Sequence, residues 1–333
     1  MKVKLDERNY EYLTQLENLV KYNVTKVSQK LEELTAWSNE KPMVTPQTLQ
    51  IQNKKIARVT RINGQKNFLL QISSGFLSWL DDAALWMNQD VPFRSSLYMN
   101  LLSNKNDLSL WINTNWILWV VNHEFGHLSG GHLSVTKNLT WSEFGVIETC
   151  NSVNKKLKLA CEYDADIYAA TIFFGSMHLI LKDKTFEKIK QNLFFDIGMV
   201  FAGLFMAMDK LSPEPDIHPK ANQRFMVFML VGLAEYARST LRDPILEYEA
   251  FTNGALKSFA LFPEKYGLEY AEKITNFDFD ELLDSRSLLI ENNFLSKRLI
   301  PRNQDWLNDS SPFLYIPTRE TKAWDLNKKP EFL

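Results

Sequence analysis

The run His123-Glu124-Phe125-Gly126-His127 constrains this chain more than any other stretch, because its spacing dictates a chemistry. Residues four apart lie on one face of an α-helix, so His123 and His127 turn two imidazoles toward one ion while Glu124 sits beside them. That is the arrangement of a zinc-hydrolase helix, with two metal ligands and a carboxylate placed to act as a base. The 333 residues hold only five histidines, so composition alone does not supply two in this register. The flanks support a helix: Asn113 or Thr114 can cap it, and Trp116 and Val120 carry an apolar rhythm into the motif. Gly130-Gly131 marks its end, because glycine enters the left-handed conformation cheaply.

Two histidines leave a catalytic zinc site short of its usual three protein ligands. A metzincin would place a third histidine six residues after His127, where this chain has Leu133. Acidic residues downstream are the next source. Within Cys161-Glu162-Tyr163-Asp164-Ala165-Asp166, Glu162 and Asp166 are four apart and share a helical face. Glu162 is the candidate third ligand, and Asp166 the candidate acceptor for the outer nitrogen of a ligating histidine. The same residues also suit a solvated acidic patch at a helix start. A purely structural zinc would normally be closed by four protein ligands, often cysteines. Cys161 points to a different helical face from Glu162, and Cys150 shows no role. A glutamate beside the ion favours catalysis over stapling, since a structural site has no use for a base.

Periodicity organises the rest. Asp6 to Ser38 has the rhythm of a long amphipathic helix, including Leu16, Val20, Val24 and Val27. Pro42 and Pro46 break that pattern, and Lys55–Arg61 and Asn67–Ile72 flank Asn63-Gly64, the signature of a β-hairpin. Ser74–Trp86 reads as helix and Ser95–Leu102 as a candidate strand ahead of the metal helix. Cys161–His178, Thr185–Met208 and Ala221–Leu241 follow as helices. From Ser285 the pattern weakens, and Pro301, Pro312, Pro317 and Pro330 predict an irregular wrap over the surface. The expected fold class is α+β, mostly helical, with a small β-sheet or hairpin. The expected divisions are an N-terminal helix packing on the core (1–50), a peptidase-like domain (51–284) and a C-terminal wrap (285–333). There is no internal repeat.

A formal net charge of −2 provides no electrostatic footprint for nucleic acid. The two cysteines suit a reducing compartment rather than a disulfide scaffold. Met1–Tyr10 is polar and lacks the apolar core of a secretory signal. The apolar runs Ile197–Met208 and Phe225–Ala234 fall short of the ~20 residues of a spanning helix, so buried core helices are expected, with at most a shallow peripheral membrane contact. A cytoplasmic location is the expectation.

The segment His123 to His132, followed by Glu162 to Ala169 and then by His218-Pro219, resembles the M48 peptidases, the gluzincin family of the CAAX prenyl endopeptidase and its bacterial relatives. That family pairs an HExxH helix, often continued to Gly-His, with a downstream Glu-x-x-x-Asp helix and a late His-Pro element followed by an Arg, here Arg224. The resemblance covers roughly Trp111 to Phe228. It implies a zincin-like core and one Zn2+ per chain, held by His123, His127 and Glu162, with Glu124 as general base and Asp166 supporting a ligand. It implies His218 at the cleft stabilising the oxyanion, with Asp216 or Arg224 in support. His132 and His178 are expected to be ordinary packing histidines. Many M48 members carry spanning helices or a signal peptide. A looser resemblance, carried by HExxH and size, is to the Lit-type phage-exclusion peptidases, which cut a host protein. The expected activity is therefore zinc-dependent cleavage of an intracellular protein or peptide, paired along Ser95–Leu102 if that strand is exposed. The unplaced termini are candidates for a lid, a sensor surface or a regulatory partner site. The alternatives are a non-catalytic, zinc-stapled interaction protein and a zinc hydrolase of a non-peptide amide.

Overall fold

Four short strands, β1 (Met43–Leu49), β2 (Ala57–Arg61), β3 (Asn67–Ser73) and β4 (Thr140–Ser142), form one mixed sheet in the order β1-β3-β2-β4. They belong to a computed structural model that describes residues 14, 17–18, 20–22, 24–25, 43–51, 54–62, 67–89, 105–135, 140–142, 155–182, 190–211, 218–240, 245–266, 278–298 and 306–307. Alternation builds the central pair: Ala57 and Val59 on β2, and Phe68, Leu70 and Ile72 on β3, are buried. These strands run antiparallel with Ala57 opposite Ile72 and Arg61 opposite Phe68, as the hairpin reading expects, while Asn63-Gly64 lies outside the described residues. Pro46, expected to interrupt structure, lies within β1, which pairs parallel to β3. β1 is an edge strand, where a missing N–H donor is tolerated.

After β1, nine helices follow among the described residues: α1 (Ser74–Gln89), α2 (Lys105–Ser129), α3 (His132–Val135), α4 (Lys155–Lys182), α5 (Lys190–Leu211), α6 (Ala221–Thr240), α7 (Ile245–Tyr266), α8 (Phe279–Glu291) and α9 (Phe294–Lys297). The fold is α+β and mostly helical, as expected. α1 begins where Ser73 Oγ accepts from Phe76 N at 3.2 Å. α2 begins well before Asn113 and Thr114, so neither is its cap. Both lie inside the helix, where Thr114 Oγ1 donates to Leu110 O (2.7 Å) and Asn113 Nδ2 to Asp81 Oδ1 on α1 (3.3 Å). Capping-type side chains satisfied in this way do not start a helix.

The core lies among α2, α4, α5, α6 and α7. Phe173 on α4, Phe201 on α5 and Phe228 on α6 interlock, with ring centroids 4.8 Å apart for Phe173–Phe201 and 4.2 Å for Phe201–Phe228. Trp116 Nε1 donates to Val200 O at 3.0 Å, joining α2, which carries the His123–His127 run, to α5. α7 has no counterpart among the expected helices. Its backbone touches α5: a Cβ at Gly254 would lie 1.9 Å from Phe195 O, and one at Gly198 2.1 Å from Phe251 O.

Within α5, Gln191–Asp209 spans 19 residues at a mean hydropathy of 1.4, long and apolar enough to cross a membrane by length and composition. This corrects the expectation that the run is too short. Its window is 83% buried inside the fold, as in a core helix.

The residues from 285 onward are not all irregular. Ser285 is buried in the middle of α8, and Trp306 and Leu307 are buried beyond it. Arg286 on α8 holds that segment, Nε donating to Trp306 O (2.7 Å) and Nη2 to Leu307 O (3.1 Å). A tail that reads as irregular is thus partly helical and partly core, because its anchors are isolated residues without a period. Its four prolines lie outside the described residues, as does Ser95–Leu102. Of the expected N-terminal helix, the described residues between 14 and 25 are helical, with Val20 and Val24 buried and Lys21 and Tyr22 exposed.

Candidate metal centre

The site lies where α2 passes α4. A Cβ at Gly126 would lie 2.7 Å from Ala165 Cα, so glycine there lets the two backbones touch. Around this contact, His123 and His127 flank Gly126 on one helix, while Glu162 and Asp166 lie on the other. His123, Glu124 and His127 are 0% exposed, Glu162 1% and Asp166 2%.

His123 Nε2 and His127 Nε2 are 3.0 Å apart. Glu162 brings Oε2 to 3.2 Å from the first and Oε1 to 3.4 Å from the second. These ligand atoms all fall within 4.8 Å of one another, and His123, His127 and Glu162 form a buried group that can hold a metal ion.

The outer ring atoms reveal what the inner ones offer. His123 Nδ1 lies 2.8 Å from Asp166 Oδ1. A carboxylate only accepts, so Nδ1 carries the hydrogen. His127 reaches the same state through a relay: His132 Nε2 is 2.9 Å from Asp164 Oδ2 and must donate to it, so His132 Nδ1 accepts from His127 Nδ1 at 2.8 Å. His132 thus does more than pack. In their neutral forms both ligand rings present an Nε2 lone pair to the centre. Burial holds His127 well below the ordinary histidine pKa, favouring that neutral form. Two nitrogen lone pairs and a carboxylate converging at 3.0 to 3.4 Å call for a cation. A proton bridges only two of them, whereas a divalent ion serves all three.

Charge agrees. Among the described residues, this network carries the carboxylates Glu124, Glu162, Asp164 and Asp166 against the guanidiniums Arg224 and Arg298, so four negative charges less two positive leave −2 over these six side chains when all are ionised. Buried charge is costly unless compensated, and a divalent cation restores balance.

Arg224, at the start of α6, bridges both acids on α4: Nη2 is 3.3 Å from Glu162 Oε2 and Nη1 3.3 Å from Asp166 Oδ1. Its Nε donates to Pro219 O at 3.3 Å, holding the His218-Pro219 turn against the site. His218 Nδ1 lies 3.4 Å from Glu162 Oε2, and at 9% exposed His218 is the member of the group nearest solvent. Trp119 stacks on His123 with centroids 5.1 Å apart, one turn before the first ligand.

The structure therefore brings together His123, His127, Glu162, Asp166, His218 and Arg224, and buries Glu124 next to His123 on α2. Asp216, Cys150 and the His178 side chain lie outside the described residues. Cys161 is a buried thiol with its pKa pushed up by burial, then by Asp164 and Glu162. Sequence reasoning missed Asp164, Arg298 and Trp306. Asp164 stood in plain view between the two chosen acids, two residues from each and so aimed elsewhere. Arg298 and Trp306 carried no signal. No protein-family model, no curated protein and no solved structure matches this chain.

Proposed function

We propose that this chain is a zinc-dependent endopeptidase of the gluzincin type, built on a zincin-like core and acting on peptide bonds of an intracellular protein. The carrying observation is the convergence of His123 Nε2, His127 Nε2 and the Glu162 carboxylate beside Glu124. The zincin-like reading is supported by the motif helix α2 packing against both β2 and the acidic helix α4. Two imidazoles and a carboxylate suit zinc, and three protein ligands leave a position for water, unlike a closed structural site. A zinc ion there would lower the pKa of water toward ~7 and polarise a substrate carbonyl.

The remaining work falls to side chains. Glu124, buried next to the first ligand, takes the proton from the attacking water and delivers it to the departing amine. His218, on the solvent side of Glu162, donates an N–H to the oxygen on which negative charge develops. Asp166 fixes the orientation of His123, and Arg224 fixes both acids and the His218 turn.

Elemental analysis of the wild type and Glu162→Ala tests the metal. One zinc per chain, largely lost in the variant, is expected; a wild type without zinc would overturn the proposal. Incubation with a mixed peptide library, scoring new N-termini by mass spectrometry, tests the reaction. Cleavage that persists undiminished in zinc-loaded Glu124→Gln would overturn the catalytic assignment.

A further inference from the structure

Past the relay that orients His127, the chain of contacts continues into the C-terminal part of the molecule. Asp164 accepts from His132 Nε2 on one oxygen, and it is gripped from the far side by Arg298 and Trp306. Arg298 Nη2 donates to Oδ1 at 2.8 Å, Arg298 Nη1 pairs with Oδ2, and Trp306 Nε1 donates to Oδ1 at 2.7 Å. Asp164 is 0% exposed and Trp306 1%. Every donor in this ring is aimed at one carboxylate.

The chain makes room for it. A Cβ at Gly130 would lie 2.3 Å from His132 Nε2 and 2.8 Å from Asp164 Oδ2, so only glycine lets that hydrogen bond pass the end of α2. Phe294 packs edge-on against the His132 ring at 5.6 Å, and Arg286 holds the backbone at 306 and 307. A lone aspartate supporting a histidine would need none of this.

We infer that Arg298 and Trp306 together form a metal-retention latch. It holds Asp164, which holds His132 in the tautomer whose Nδ1 accepts from His127, which keeps the His127 Nε2 lone pair turned to the ion. His132 and Asp164 are positioning residues for a ligand, not ligands. With both donors in place, His127 is preorganised; without them, Asp164 loses partners that balance its buried charge, and the His127 tautomer is imposed less firmly. Metal grip is thereby coupled to two side chains more than a hundred residues away in sequence. The inference rests on the metal-site reading.

The test measures zinc affinity of the full chain by chelator competition, with melting of each metal-free protein alongside. Relative to wild type, Trp306→Phe removes one donor to Asp164 and should weaken zinc binding about tenfold, and His132→Leu should do so by about ten- to a hundredfold. His132→Gln should recover most of the affinity, because an amide oxygen can accept from His127 while its nitrogen donates to Asp164; a residue that only packed would show no such rescue. Zinc affinities of Trp306→Phe and His132→Leu within twofold of a zinc-binding wild type would overturn the latch and leave the metal centre standing. A wild type that binds no zinc would overturn the metal reading itself. If His132→Leu fails to fold, Trp306→Phe and His132→Gln decide the matter.

Discussion

Removing zinc from the proposed site should cost this protein stability in an amount that tracks free zinc. Without an ion, the Nε2 atoms of His123 and His127 face each other at 3.0 Å, with the ionised Glu162 carboxylate beside them. Among the described residues of this network, four carboxylates face only the two guanidiniums of Arg224 and Arg298. An ion that binds only the folded chain stabilises it by about 4.1 kcal/mol at a free concentration of 1,000 times Kd. Unfolding entropy of about 2.1 cal/mol/K per residue gives about 0.7 kcal/mol/K for 333 residues, so that stabilisation raises Tm by about 6 °C. Each further tenfold in free zinc adds about 1.4 kcal/mol, or about 2 °C. Scanning calorimetry in zinc buffers spanning a thousandfold range reads this slope. Glu162→Ala should flatten it, since the variant keeps two imidazoles but loses the charged ligand. A wild-type Tm constant across that range would refute the reasoning.

Glu124→Gln should keep zinc content and Tm while lowering peptide hydrolysis by about a hundred- to ten-thousandfold, read as the ratio of turnover rates at equal zinc loading. Asp81 is pushed up to about 6 by burial and then by Asp82, partly offset by its hydrogen bond from Asn113. Its folded pKa exceeds the unfolded value of 3.8, so stability falls as pH rises through that interval. Allowing for its partial exposure, Asp81→Asn should stabilise the protein by about 1 kcal/mol at pH 7 and not at pH 3.5, by urea titration at both pH values. Gly254→Ala drives a methyl to 1.9 Å from Phe195 O and should cost at least about 1–3 kcal/mol by separating α5 from α7; an unchanged urea midpoint would contradict that close approach.

Legibility followed the range of the interactions. The metal helix could be read because its chemistry is local: four residues make one turn, and the turn alone aligns His123 with His127. The pairing of Glu162 with Asp166 and the β2–β3 hairpin were legible for the same reason, each being a short-range period. Where local rules misled, a tertiary partner had intervened. Asn113 and Thr114 look like caps until Asp81 and Leu110 satisfy them inside α2. Pro46 looks like a break until β1 is seen to lie at an edge. The run in α5 long enough to span a membrane is instead covered by α2, α6 and α7.

The sequence by itself determined the donor types and their local geometry: two imidazoles and a glutamate on one helix, and acids at matching spacing on another. Only the tertiary structure decided which acid faces which histidine. Glu162 and Asp166 turn to His123 because they share a face of α4, whereas Asp164, two residues from each, turns to His132. It also brought Arg298 and Trp306 onto Asp164, 134 and 142 residues from their partner. A hydrogen bond leaves no period in sequence when its ends lie on different elements, and it becomes visible only once packing has brought them together.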